Sequence, residues 1–186
     1  MTTSHADQAD RADALWVEAV VDHYRQVARE AESVIPELDR LESWAEFGVE
    51  ARAFRRQDSW RMVLILAPWM LCRLLQPVRE STLTQPPWTG LTPATGMALG
   101  PVGTVSLMER QISAHLQSHP ALGRFLIQPL ISGLTPYATP DDAFHAWSEV
   151  IRTREKIRTE RGISCQWQQS VSRREMFGGL FAGRAG

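Results

Sequence analysis

Residues 47–75, FGVEARAFRRQDSWRMVLILAPWMLCRLL, decide the fold. Over residues 47–56 the apolar Phe47, Val49, Ala51 and Ala53 alternate with Glu50, Arg52 and Phe54. A period of two sends successive side chains to opposite faces and predicts a half-buried strand. Gln57-Asp58-Ser59 is a short polar turn, and residues 60–66 follow as a nearly continuous apolar run. Two such segments around a short turn predict an antiparallel hairpin whose second strand is the more central. Pro68 cannot donate to a ladder, so that strand must end, bulge or lie at an edge there. Residues 69–75 fit a further strand better than a turn of helix.

Outward from this core, residues 12–33 carry Trp16, Val20, Tyr24, Val27 and Ala31 at helical spacing, with Glu18, Asp22, Arg25 and Arg29 between them. That pattern predicts a long amphipathic helix ending before Pro36. Residues 1–10 are polar and expected to be disordered. Residues 76–103 are rich in Pro, Gly and Thr and predict a long surface loop, with a short strand near residues 96–99. Residues 102–112 can continue the sheet, residues 115–124 fit no single period, and residues 125–134 read as a strand interrupted by Pro129. Thr139-Pro140-Asp141-Asp142 is a helix start: a capping Thr, Pro in the first turn and acids favoured by the helix dipole. The helix should run to about residue 161, with Gly162 as its cap. The sum is an α+β fold: one antiparallel sheet with a long N-terminal helix and a second long helix near the C-terminus packed on it. It predicts a single domain over residues 11–162 and a flexible, arginine-containing tail over residues 163–186.

The composition narrows the function classes. With 186 residues, 44% of them hydrophobic, the chain can bury one core unaided. A formal net charge of −1 argues against nucleic acid as a partner. The longest apolar stretch, residues 62–75, is broken by Pro68 and Arg73 and is too short to span a bilayer. The N-terminus has no apolar run of a secretory signal, so a cytoplasmic location is expected. Cys72 and Cys165 are the two cysteines, far apart and without a CxxC spacing, which suits a reducing compartment.

A catalytic constellation is not legible. The glycines at 96, 100 and 103 match neither phosphate-loop spacing, and no GxSxG or HExxH occurs. His115 and His119 stand four apart, which on a helix would put both imidazoles on one face; Cys165 could join them only through the fold. That leaves a metal- or ligand-handling accessory protein as the alternative reading, although two histidines are too few for a zinc site. Cys72, between apolar neighbours, reads as a core residue. No cofactor and no enzymatic activity are expected. What stands out is a group of apolar and aromatic residues beside chain breakers: Pro68-Trp69-Met70, and Trp88 after Pro86-Pro87. Methionine and tryptophan suit a surface that fits variable extended peptides.

The order of these features resembles the HybE/HupJ/HoxT family of [NiFe]-hydrogenase assembly chaperones. A long helix precedes a hairpin that runs into Ala67-Pro68-Trp69-Met70, where the family has a Ser/Thr-Pro-Trp segment. The likeness continues at Pro93-Ala94-Thr95-Gly96 and at Leu126-Ile127-Gln128-Pro129-Leu130. It ends at Ser172-Arg173-Arg174-Glu175-Met176-Phe177, similar to the family's arginine-rich tail. Ala67 and Gln128 depart from the family pattern. The resemblance implies a non-enzymatic chaperone that binds large or small subunit precursors, and other maturation factors, before twin-arginine export. Partner binding is expected at Pro68, Trp69, Met70 and Trp88, with Pro129, and with Arg173 and Arg174 as electrostatic adjuncts. The Ser-Arg-Arg-x-Met-Phe stretch approximates an export signal at the wrong end of the chain and cannot work as one.

Overall fold

The computed structural model describes residues 5–35, 47–57, 59–107 and 110–160. Helix α1, His5–Val34, starts well before the expected residue 12, so part of the polar N-terminus is helical. Its buried residues are Asp13, Trp16, Val20, His23, Tyr24, Val27 and Ala28, a stripe at three- and four-residue spacing that must face a core.

Six strands follow in one antiparallel sheet of order β1-β2-β3-β6-β5-β4. They are β1, Glu50–Gln57; β2, Trp60–Ala67; β3, Met70–Pro77; β4, Val102–Leu107; β5, Arg110–His119; and β6, Gly123–Ser132. The first three match the hairpin and third strand expected from residues 47–75. A 3₁₀ turn, Glu80–Thr84, follows β3, and helix α2, Pro140–Glu160, follows β6. The fold is therefore α+β, with one helix before the strands and one after them in the chain.

Two expectations change. No strand forms at residues 96–99: Ala94 makes a single bridge to Gln117 instead. Ala94 and Pro101 hydrogen-bond to Leu116 and Ser118 and so cover the part of the β5 edge that β4 leaves open. Residues 102–124, partly ambiguous from periodicity, resolve into β4, β5 and the start of β6.

Alternation divides the sheet into two faces. Val63, Ile65, Ala67, Met70, Cys72, Leu74, Phe125 and Ile127 meet Trp16, Val20 and Tyr24 of α1. On the opposite face there are two apolar clusters. In one, Met62, Leu75, Leu116 and Leu126 lie under Leu83 and Trp88. In the other, Leu66 and Leu71 lie under Phe47, Leu134, Ala143 and Phe144. Each fully buried Leu, Ile or Phe contributes about 1.5–3 kcal/mol relative to exposure. The strands β2 and β3, buried on both faces, thus hold the molecule together.

The chain divides into a compact unit that ends at Trp147 and a second unit, Ser148–Gly186, in which α2 is described as far as Glu160. Thr139 caps α2 by reciprocal bonds with Asp142: Asp142 N donates to Thr139 Oγ1 at 3.2 Å, and Thr139 N to Asp142 Oδ2 at 3.0 Å. This is the helix start read from the sequence, completed as a capping box.

Candidate functional site

The strands β2 and β3 pair from Trp60↔Pro77 to Ala67↔Met70, so Pro68-Trp69 is the whole of the turn between them. Proline's fixed φ suits the corner of such a turn. Pro68 and Met70 are buried, and Met70 sits in the cluster under α1. Trp69 is half-buried. Its ring stacks on Tyr24 at 6.0 Å between centroids with 20° between planes. Its carbonyl accepts from Gly133 N at 3.3 Å. Of the three, Trp69 alone presents surface, and its neighbours hold it in one orientation.

The other expected partner-binding residues lie elsewhere. Trp88 is 2% exposed; its six-membered ring lies over Gly103, where a Cβ would come within 2.4 Å of the ring. A ring enclosed in this way braces the loop after β3 and offers no surface to a partner. Pro129 is in β6 opposite Cys72, where the ladder to β3 shifts register and Leu130 becomes the extra residue. A bulge accommodates a residue that has no N–H to give. Arg173, Arg174 and Cys165 lie outside the described residues.

His115 and His119 are both on β5, so the helical face that would have joined them does not exist. Four residues along a strand span about 13 Å, too far for two ligands of one ion. His115 Nδ1 is 2.8 Å from Gly100 O. His119 packs instead on His23 of α1, with ring centroids 4.2 Å apart. Burial first, and then His119, push His23 down to about 4, against a smaller opposing effect of Glu30. His23 is therefore neutral at pH 7. Among the described residues no group of three or more His, Cys, Asp or Glu converges as a metal site would need.

Cys72 is fully buried, 3.8 Å from the Tyr24 hydroxyl. Burial pushes its thiol up to about 12, only partly offset by the contact with Tyr24. A thiol this reluctant to ionise is a packing group, not a nucleophile. Sequence reading passed over one further feature, the cross-strand pair Arg73↔Gln128 in the middle of the sheet. The available signal was an arginine inside an apolar run; its neighbour was knowable only from the β3–β6 register.

The fold is that of an α+β protein with a half-buried tryptophan braced at a hairpin tip. The family model described as [NiFe]-hydrogenase assembly, chaperone, HybE matches residues 15–179, and the chain belongs to that family. A search of curated proteins and a search of solved structures each return no match. Membership of an assembly-chaperone family implies a non-catalytic role. No helix among the described residues is long and apolar enough to cross a membrane.

Proposed function

We propose that this protein binds an immature [NiFe]-hydrogenase subunit, large or small, in the cytoplasm and holds it until maturation permits twin-arginine export. The observation that carries this reading is Trp69, a large, partly exposed aromatic side chain held by Tyr24 and by the two-residue turn. Pre-ordered tryptophans make strong contact points because little side-chain entropy is lost on binding. Arg173 and Arg174 add positive charge for an acidic partner surface. Holding must be reversible, which favours an interface of about 1,200 Å² in total, the lower end of the specific range.

The test is an affinity pull-down from cells expressing a hydrogenase operon, with wild type and Trp69→Ala compared beside their melting curves. The expected result is an unprocessed subunit recovered by wild type and lost with a variant that still melts cooperatively. The binding loss should be about 2 kcal/mol or more for a contact of this kind. Equal recovery by a folded Trp69→Ala would move the binding surface away from the hairpin tip. Recovery of no subunit while precursors accumulate would count against the function itself.

A further inference from the structure

On the sheet face opposite α1, the pairs Arg52↔Leu64, Leu64↔Arg73 and Arg73↔Gln128 form one row across β1, β2, β3 and β6. On one side of this row lie Leu66 and Leu71 beneath Phe47 and Phe144. On the other lie Met62, Leu75 and Leu126 beneath Leu83 and Trp88. The row is thus the seam between two apolar clusters, and its centre is polar. Arg73 and Gln128 are both half-buried, and among the described residues neither side chain has a hydrogen bond or ion pair. Arg52, at the end of the row, differs: Glu50 and Asp141 each lie 2.6 Å from its guanidinium. Arg55, exposed on the same face of β1, adds a second positive charge with no carboxylate beside it among the described residues.

A guanidinium brought partly out of water without a counter-charge destabilises the fold. Burial, and secondly Arg55, hold the Arg73 pKa below the ordinary arginine value, the direction expected of an uncompensated cation. Arg73 presents a planar fork of N–H donors, Gln128 supplies two more, and a carboxylate is the group whose geometry fits such a fork. Strand spacing makes the row about 14 Å long, the reach of four extended residues, so a chain segment rather than a single ion spans it.

We propose that this seam is a docking site for an acidic segment of a partner protein, with a carboxylate seated on Arg73 and Gln128 and drawn in by Arg55. That the occupant is a protein rests on the function proposed above; the carboxylate chemistry does not.

The experiment titrates full-length protein against a fluorescein-labelled, capped hexaglutamate peptide, with capped hexaglutamine as the neutral control. Fluorescence anisotropy reports binding, and melting curves are run in parallel. Wild type should bind hexaglutamate and not hexaglutamine. Arg73→Gln should weaken binding tenfold or more while its Tm stays level or rises, because an unpaired half-buried charge has gone. Arg73→Lys, which keeps the charge and loses the fork, should fall between the two. Arg25→Gln, on the exposed side of α1, should bind as wild type does. Undiminished binding by Arg73→Gln, or no binding by wild type, overturns the proposal. So does a fall in Tm for Arg73→Gln with peptide affinity intact, which would make Arg73 a structural residue. Peptide binding through Arg73 combined with a pull-down that recovers no hydrogenase subunit would sustain the seam and overturn the client.

Discussion

Asp13 shows how much a single side chain on α1 matters to the fold. It is buried, and its Oδ1 accepts from Arg61 Nε at 2.8 Å and from Arg56 Nη2 at 3.1 Å, tying the helix to β1 and β2. Removing one member of a buried ion pair leaves the remaining charge unmatched and costs about 3–5 kcal/mol. The two arginine side chains keep 38% and 21% of their exposure, so water screens part of the loss. Asp13→Ala should therefore destabilise by about 2 kcal/mol, read as a lower urea midpoint at unchanged slope. Asp22→Ala offers the contrast. Its pair with Arg25 is 3.3 Å long but largely solvent-exposed, and its loss should stay within about 0.5 kcal/mol. Trp69 belongs to this scale too. It is half-buried and packs against the cluster under α1, so Trp69→Ala should lower both stability and client binding, and the excess in binding is what identifies a contact residue.

Among the elements, β1 and the loop after β3 depart most from simple patterning. The alternation read over residues 47–56 breaks at Ala53, which has φ +54 where β1 shifts register against β2. A bulge of this kind returns Phe54 to the α1 face, where its ring lies 5.9 Å from that of Trp16. The loop is held by close approaches that only glycine allows. A Cβ at Gly100 would lie 1.9 Å from Leu116 O, and one at Gly103 would enter the ring of Trp88. Gly103→Ala should force Trp88 off its seat and cost about 1–3 kcal/mol, the usual range for overpacking. Tryptophan fluorescence shifted to the red in the native state, with a lower Tm, is the expected reading; unchanged emission would mean that the strand moves and the ring does not.

Across the whole molecule, stability should depend on pH through the contact between α1 and the β5–β6 end of the sheet. His23, facing His119 and 7% exposed, titrates at about 4 in the folded protein and at 6.5 when free. Between these values the unfolded chain takes up a proton that the folded chain refuses. The stability present above pH 6.5 is therefore lost as pH falls toward 4, at up to about 1.4 kcal/mol per pH unit and about 3 kcal/mol in all. Carboxylates titrate in the same range, so the informative quantity is a difference. Urea midpoints of wild type and His23→Gln should converge as the pH drops through this window. Parallel pH curves for the two proteins would show that His23 is protonated without cost.

Much of the architecture was legible because local rules dominate it. The stripe from Trp16 to Ala28 could only be a helix with a buried side, and Thr139 with Asp142 carries its own cap. The apolar run of residues 60–66 had to be an inner strand, and Pro68 marked where it must end, bulge or lie at an edge. These are properties of neighbours in the chain, and so of the sequence itself. Encounters between distant residues were not legible. Trp88 looked like an exposed loop aromatic until Gly103 was found beneath it, and His119 belonged to a helical pair until β5 carried it to His23. Arg73 was a break in an apolar stretch until the β3–β6 register set it beside Gln128, half-buried between two apolar clusters. A strand can slip by one residue and reverse every side chain, as the bulges at Ala53 and Leu130 locally do. The sequence alone therefore determined most of the elements and their order, while register, set by the packing of all six strands, decided which polar groups meet across the sheet.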